Sequence, residues 1–161
     1  MTKSKLFTFR VLLFITAVSL AACQAPVDKT SVWTSDTGEV RPGPDTGKAV
    51  LALVKKSRQA SATGSLSIAE SYLERALGIE PDNATLWLYM AKLRLYAMKP
   101  KEAINLAKKA LSLSSRGGNL TQAKRKALQA DGWRVIAHAH QKLGNTVKAQ
   151  KADNKAKSLS Y

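Results

Sequence analysis

Residues 66–96 read LSIAESYLERALGIEPDNATLWLYMAKLRLY, and this stretch decides the fold. Apolar and small residues recur three and four apart through Tyr72, Leu73, Ala76, Leu77 and Ile79, and again through Trp87, Met90, Ala91 and Leu95. That is the period of one face of an α-helix. Ser67-Ile-Ala-Glu70 has the form of a capping box opening the first run. Pro81 closes it, and Asp82 or Asn83 can cap the second. The stretch predicts two helices joined by a short polar turn.

The same grammar continues on both sides. Ala49, Leu51, Ala52, Leu53 and Val54 begin an earlier helix, broken at Thr63-Gly64. Downstream, Pro100 stands where a first helical residue belongs, before Ala103, Ile104, Ala107, Ala110 and Leu111. Gly117-Gly118 interrupts the chain, a long segment runs from about Asn119 to Leu143, and Gly144-Asn145 precedes a last helix from Val147 to Leu159. No window keeps the strand alternation for long. The predicted class is all-α.

The helices repeat. Ala69 to Ala103, Ala76 to Ala110 and Leu53 to Trp87 are each 34 residues apart. Paired helices at that period resemble the tetratricopeptide repeat. Small residues let neighbouring helices approach, while large ones fill the gaps between turns. A third copy (Trp133, Ile136, Ala137, Leu143, Gly144, Ala149, Ala156) is offset by 46, so about twelve residues are inserted near 116–129. The resemblance implies a short solenoid of about three helix pairs over 48–161, with repeats at about 50–83, 84–117 and 130–161. The insert is expected to lengthen the first helix of the third pair. Departures from the pattern are Arg94 and His140 at an aromatic position, Ser115 for a terminal proline, and Asp153 for a large apolar residue. The lysine-rich last helix would serve as the polar cap that solenoids need.

The start of the chain reads as an address. Lys3, Lys5 and Arg10 precede the apolar run Val11 to Ala22, too short to span a bilayer and suited to a signal-peptide core. It ends Leu20-Ala21-Ala22-Cys23, which resembles the lipobox of bacterial lipoproteins. That resemblance implies removal of residues 1–22, lipid on the Cys23 sulfur and acylation of the new amino terminus. The mature protein would be tethered to a membrane, and Gln24 in place of Asp suggests the outer membrane, facing the periplasm. Residues 23–47, with three prolines, read as a disordered linker. Fully extended, it reaches about 80 Å.

Composition narrows the function. The whole chain of 161 residues carries a formal charge of +15, and without residues 1–22 it carries 23 basic and 11 acidic residues. Residues 48–91 hold five basic and four acidic residues; residues 92–161 hold sixteen and three. Such a field steers acidic partners or holds the domain near anionic cell-wall polymer. Export excludes nucleic acid. The lone cysteine excludes an intrachain disulfide, and His138 and His140, two apart on one helix, point to different faces and cannot chelate one ion. No catalytic set can be assembled, so the chain is expected to be no enzyme and to hold no cofactor or metal. What remains is a binding surface. By resemblance to the repeat family, the first helix of each pair lines the concave groove, at Arg58, at Leu88, Lys92 and Tyr96, and at Arg134, His138 and Lys142.

A narrower resemblance follows from residues 66–96 together with ALQADGWRVIAHAHQKLGN at 127–145, the lipobox and the Pro-rich linker. The chain resembles the LpoP-type lipoproteins that activate class A penicillin-binding proteins, including the lengthened spacing between repeats. The resemblance implies a partner in peptidoglycan synthesis that owns all the catalytic residues. The alternative is a pilotin-like or general envelope assembly scaffold for a secretion, pilus or cell-wall partner.

Overall fold

Helices form where the apolar period runs, and they end where a cap or a left-handed residue interrupts it. The computed structural model describes residues 47–116 and 120–160. The signal segment, Cys23, the linker up to residue 46 and residues 117–119 of the insert lie outside them. Six helices follow in order: α1 Lys48–Ala62, α2 Leu66–Ile79, α3 Ala84–Tyr96, α4 Pro100–Ser115, α5 Gln122–Lys142 and α6 Thr146–Ser160. There is no strand among the described residues.

Their starts follow local chemistry. Asn83, rather than Asp82, caps α3, its Oδ1 accepting from the Thr85 N–H at 3.0 Å. The Thr121 hydroxyl accepts from the Lys124 N–H at 3.3 Å and opens α5. Each such cap is worth about 1 kcal/mol. Pro100 stands in the first turn of α4, where its missing N–H costs nothing. The capping box expected at Ser67–Glu70 does not form. α2 begins at Leu66 after Ser65 at the cap position, so Ser67 already lies within the first turn. Glu70 turns instead to Arg94 of α3, because a charge-assisted bond to a guanidinium outcompetes a neutral amide.

The helices pack as three pairs, α1 with α2, α3 with α4 and α5 with α6, and successive pairs stack through α2–α3, α4–α5 and α3–α5 contacts. The central α3 is buried over most of its surface, including Leu86, Leu88, Tyr89, Met90 and Leu93. It joins two apolar clusters. One draws on α1 to α3 through Val50, Leu73, Leu86 and Tyr89. The other draws on α3 to α6 through Leu88, Ala107, Leu128, Ile136 and Ala152. Ala69, Ala76, Ala103, Ala107, Ala110 and Ala156 have no exposed surface. They form the seams at which helices meet, since a methyl group there admits a neighbouring backbone.

α5 has 21 residues where α3 has 13. Its first two turns lie against the end of α4, with Leu128 buried and Gln129 Nε2 donating to Ser114 Oγ at 3.3 Å. At Gly132 α5 lies close against Leu111 of α4. A Cβ there would meet Leu111 Cδ2 at 2.9 Å, so this approach requires glycine unless Leu111 moves.

Candidate partner-binding surface

Of the departures from the repeat pattern, Arg94 forms a polar joint between helices. Arg94 occupies an aromatic position and bridges two elements, pairing with Glu70 of α2 and with Glu102 of α4, whose Oε2 lies 3.2 Å from Nε. Asp153 is held by Lys157 at 2.7 Å, one turn on. The Ser115 hydroxyl donates to the Leu111 carbonyl at 3.0 Å. His140 keeps a buried Nδ1 without a hydrogen-bond partner.

The seven residues assigned to the groove do not share one environment. His138 and Lys142 are exposed on α5, and Arg58 and Tyr96 are half-buried on α1 and α3. Leu88 has no exposed surface and belongs to the core beneath α4 and α5, so it cannot line an open groove. Lys92 is buried as well, and its Nζ lies 3.2 Å from Asp131 Oδ2. Arg134 Nη1 takes the other oxygen of the same carboxylate at 3.1 Å, and Nη2 donates to Ser160 Oγ at 3.0 Å. Two of the expected free cations therefore serve to join α3, α5 and α6. The physical reason is desolvation, since a lysine carried into the packed seam between pairs requires a counter-charge there.

Asp131 organises this cluster, and sequence reasoning missed it. Its one signal is position, an acid placed on the buried side of a helix between Ala130 and Gly132, with Arg134 one turn on.

Electrostatically, the carboxyl-terminal half is uncompensated. Its three acids, Glu102, Asp131 and Asp153, are each held in an intrachain ion pair. Lys142, Lys148, Lys151 and Lys155 remain exposed. The last three recur at helical spacing and share one face of α6. Among the described residues, no three His, Cys, Asp or Glu lie together as a metal site would require. No helix among them is long and apolar enough to cross a membrane. The surface offers positive charge and shape, the means by which one protein is steered to another.

Neither a family model nor a curated protein matches the chain. Among solved structures, it is similar to the globular C-terminal domain of P. aeruginosa LpoP, with 32% sequence identity and a TM-score of 0.62. The match covers 69% of this chain and 97% of that domain. Identity at that level over nearly a whole domain carries more than a shared fold. The helical domain described above thus has its counterpart in the LpoP C-terminal domain, and the chain belongs to the LpoP family.

Proposed function

We propose that the protein is a lipid-anchored envelope protein that binds a bifunctional, class A penicillin-binding protein and raises its activity. The likeness to the LpoP C-terminal domain, extending over 97% of that domain, is the observation that carries this reading. The lipobox at Leu20–Cys23 and the linker supply the reach. The domain is tethered to the outer membrane and meets a synthase held in the inner membrane across the peptidoglycan. Exposed Lys142 and His138, with half-buried Tyr96, face solvent on the proposed partner-facing side.

Such a protein contributes no catalytic group. It acts by gripping one conformer of the synthase more tightly than another, because equal affinity for both would shift nothing. A tenfold shift toward the active form needs about 1.4 kcal/mol of differential binding. The uncompensated lysines act earlier, in the encounter, where charge chiefly sets association rate.

The test is stimulation of the purified cognate synthase by the mature domain, followed as glycan polymerisation and peptide crosslinking. The expected result is a rise in both, with slower association for the Lys142→Glu/Lys148→Glu double variant. Absence of stimulation by wild type would overturn the activator reading in favour of an assembly scaffold.

A further inference from the structure

Three turns join the two helices of each pair, and all three are built alike. The N–H of Ser65 bonds the Ala60 carbonyl, that of Lys99 the Arg94 carbonyl, and that of Asn145 the His140 carbonyl, each at 2.9 Å. In this turn, the residue before that donor takes a left-handed backbone. In the first and third turns it is glycine, Gly64 at φ +79 and Gly144 at φ +72. In the middle turn it is Met98, at φ +58. A side chain disfavours that conformation, because Cβ crowds the following carbonyl oxygen. Packing does not compensate for it, because Met98 is 66% exposed.

The surroundings say what the exposed side chain is for. Beginning at the next residue, a surface depression of about 290 Å³ lies between the start of α4 and the end of α5, lined by Lys99, Pro100, Lys101, Glu102 and Leu143. Glu102 shares Arg94 with Glu70, and Lys99 and Lys101 outnumber it, so the lining is cationic on balance. Four residues after Leu143, at the start of α6, stands Val147, 81% exposed and with Met98 one of the two most exposed large apolar side chains among the described residues. Unbranched, polarizable methionine suits a contact that must adapt to an incoming surface. An apolar anchor rimmed by cations matches an acidic segment with a large apolar side chain, and no like-signed cationic partner.

We propose that this edge, Met98 with the depression between Lys99 and Leu143 and with Val147 at the start of α6, docks an acidic, apolar-anchored segment of the protein partner. The inference rests on the reading that the partner is a class A penicillin-binding protein and names where and by what chemistry it is held. Met98 keeps a strained backbone because its side chain is part of the contact.

Met98→Gly separates this role from a structural one. It restores the residue that the other two turns use, so the domain should melt no lower than wild type. Its affinity for the purified full-length synthase should fall about tenfold, as for a hot-spot side chain, and Val147→Glu should weaken binding similarly. Ile79→Ser, an exposed apolar site on α2, should bind like wild type. Wild-type binding with undiminished affinity for both Met98→Gly and Val147→Glu would overturn the docking edge and leave the proposed partner standing. No binding by wild type would overturn the partner and this docking together.

Discussion

Lys92 of α3 and Asp131 of α5, 39 residues apart, meet at 3.2 Å, with side-chain exposures of 10% and 1%. The pair ties the second helix pair to the third. A buried pair adds little net stability over apolar residues of the same shape, whereas breaking it from one side leaves a charge unmatched. Asp131→Ala removes the partner of both Lys92 and Arg134 and should cost about 3–5 kcal/mol in denaturant unfolding. Lys92→Met should cost less, because Asp131 keeps Arg134. Equal losses would show that Arg134 does not hold the carboxylate.

Arg94 makes a graded prediction. Its side chain and that of Glu70 are largely buried, at 19% and 24% exposure, while Glu102 is 52% exposed. Arg94→Ala should cost about 1.5–3 kcal/mol, and Glu102→Ala about 0–1 kcal/mol, as for a solvated ion pair. Chemical denaturation of the two variants measures the difference. A Glu102→Ala loss as large as that of Arg94→Ala would place the joint on α4 instead of α2.

The alanine seams should resist enlargement. Ala103 has no exposed surface, and Ala103→Leu should cost roughly 1–3 kcal/mol by overpacking. Ser112→Leu, at an exposed site on the same helix, should change stability by less than about 0.5 kcal/mol. An unchanged thermal melt for Ala103→Leu would remove Ala103 from the seam.

Gly132 and Leu111 should be coupled. Gly132→Ala pushes a methyl to within 2.9 Å of the Leu111 side chain, and the half-buried leucine must move. A loss of about 1 kcal/mol is expected. Leu111→Ala should relieve much of it, so a double-mutant cycle should show a non-additive term above about 0.5 kcal/mol. Additive losses would mean the glycine is required for some other reason.

The anchor is tested on the chain itself. Cys23 is the only cysteine, and Cys23→Ala should abolish incorporation of labelled fatty acid and leave an unacylated, uncleaved precursor. Two or more acyl chains, each methylene adding roughly 0.8 kcal/mol, are what stable attachment needs. Labelling of Cys23→Ala equal to wild type would end the lipoprotein reading.

Six helices and their breaks were legible in the sequence because their causes are local. A period near 3.6, Asn83 as a cap, Pro100 in a first turn, and glycines at 64 and 144 act within a few residues of themselves. The alanines at offsets of 34 and 46 also announced which faces would meet, since a repeated unit buries the same face each time. What pairs across helices was decided only by the fold. Glu70 fitted a local box and went to Arg94, 24 residues on. Leu88 and Lys92, drawn as groove residues, were covered when the third pair packed on the second, and Asp131 became the ion that Lys92 required. Nothing in the sequence singled out Met98; only its backbone sets it beside Gly64 and Gly144. Hydrogen bonds along a helix and at its caps are fixed by neighbours in sequence. The burial of a charge depends on which helix covers it, and that is settled only when all the helices have packed.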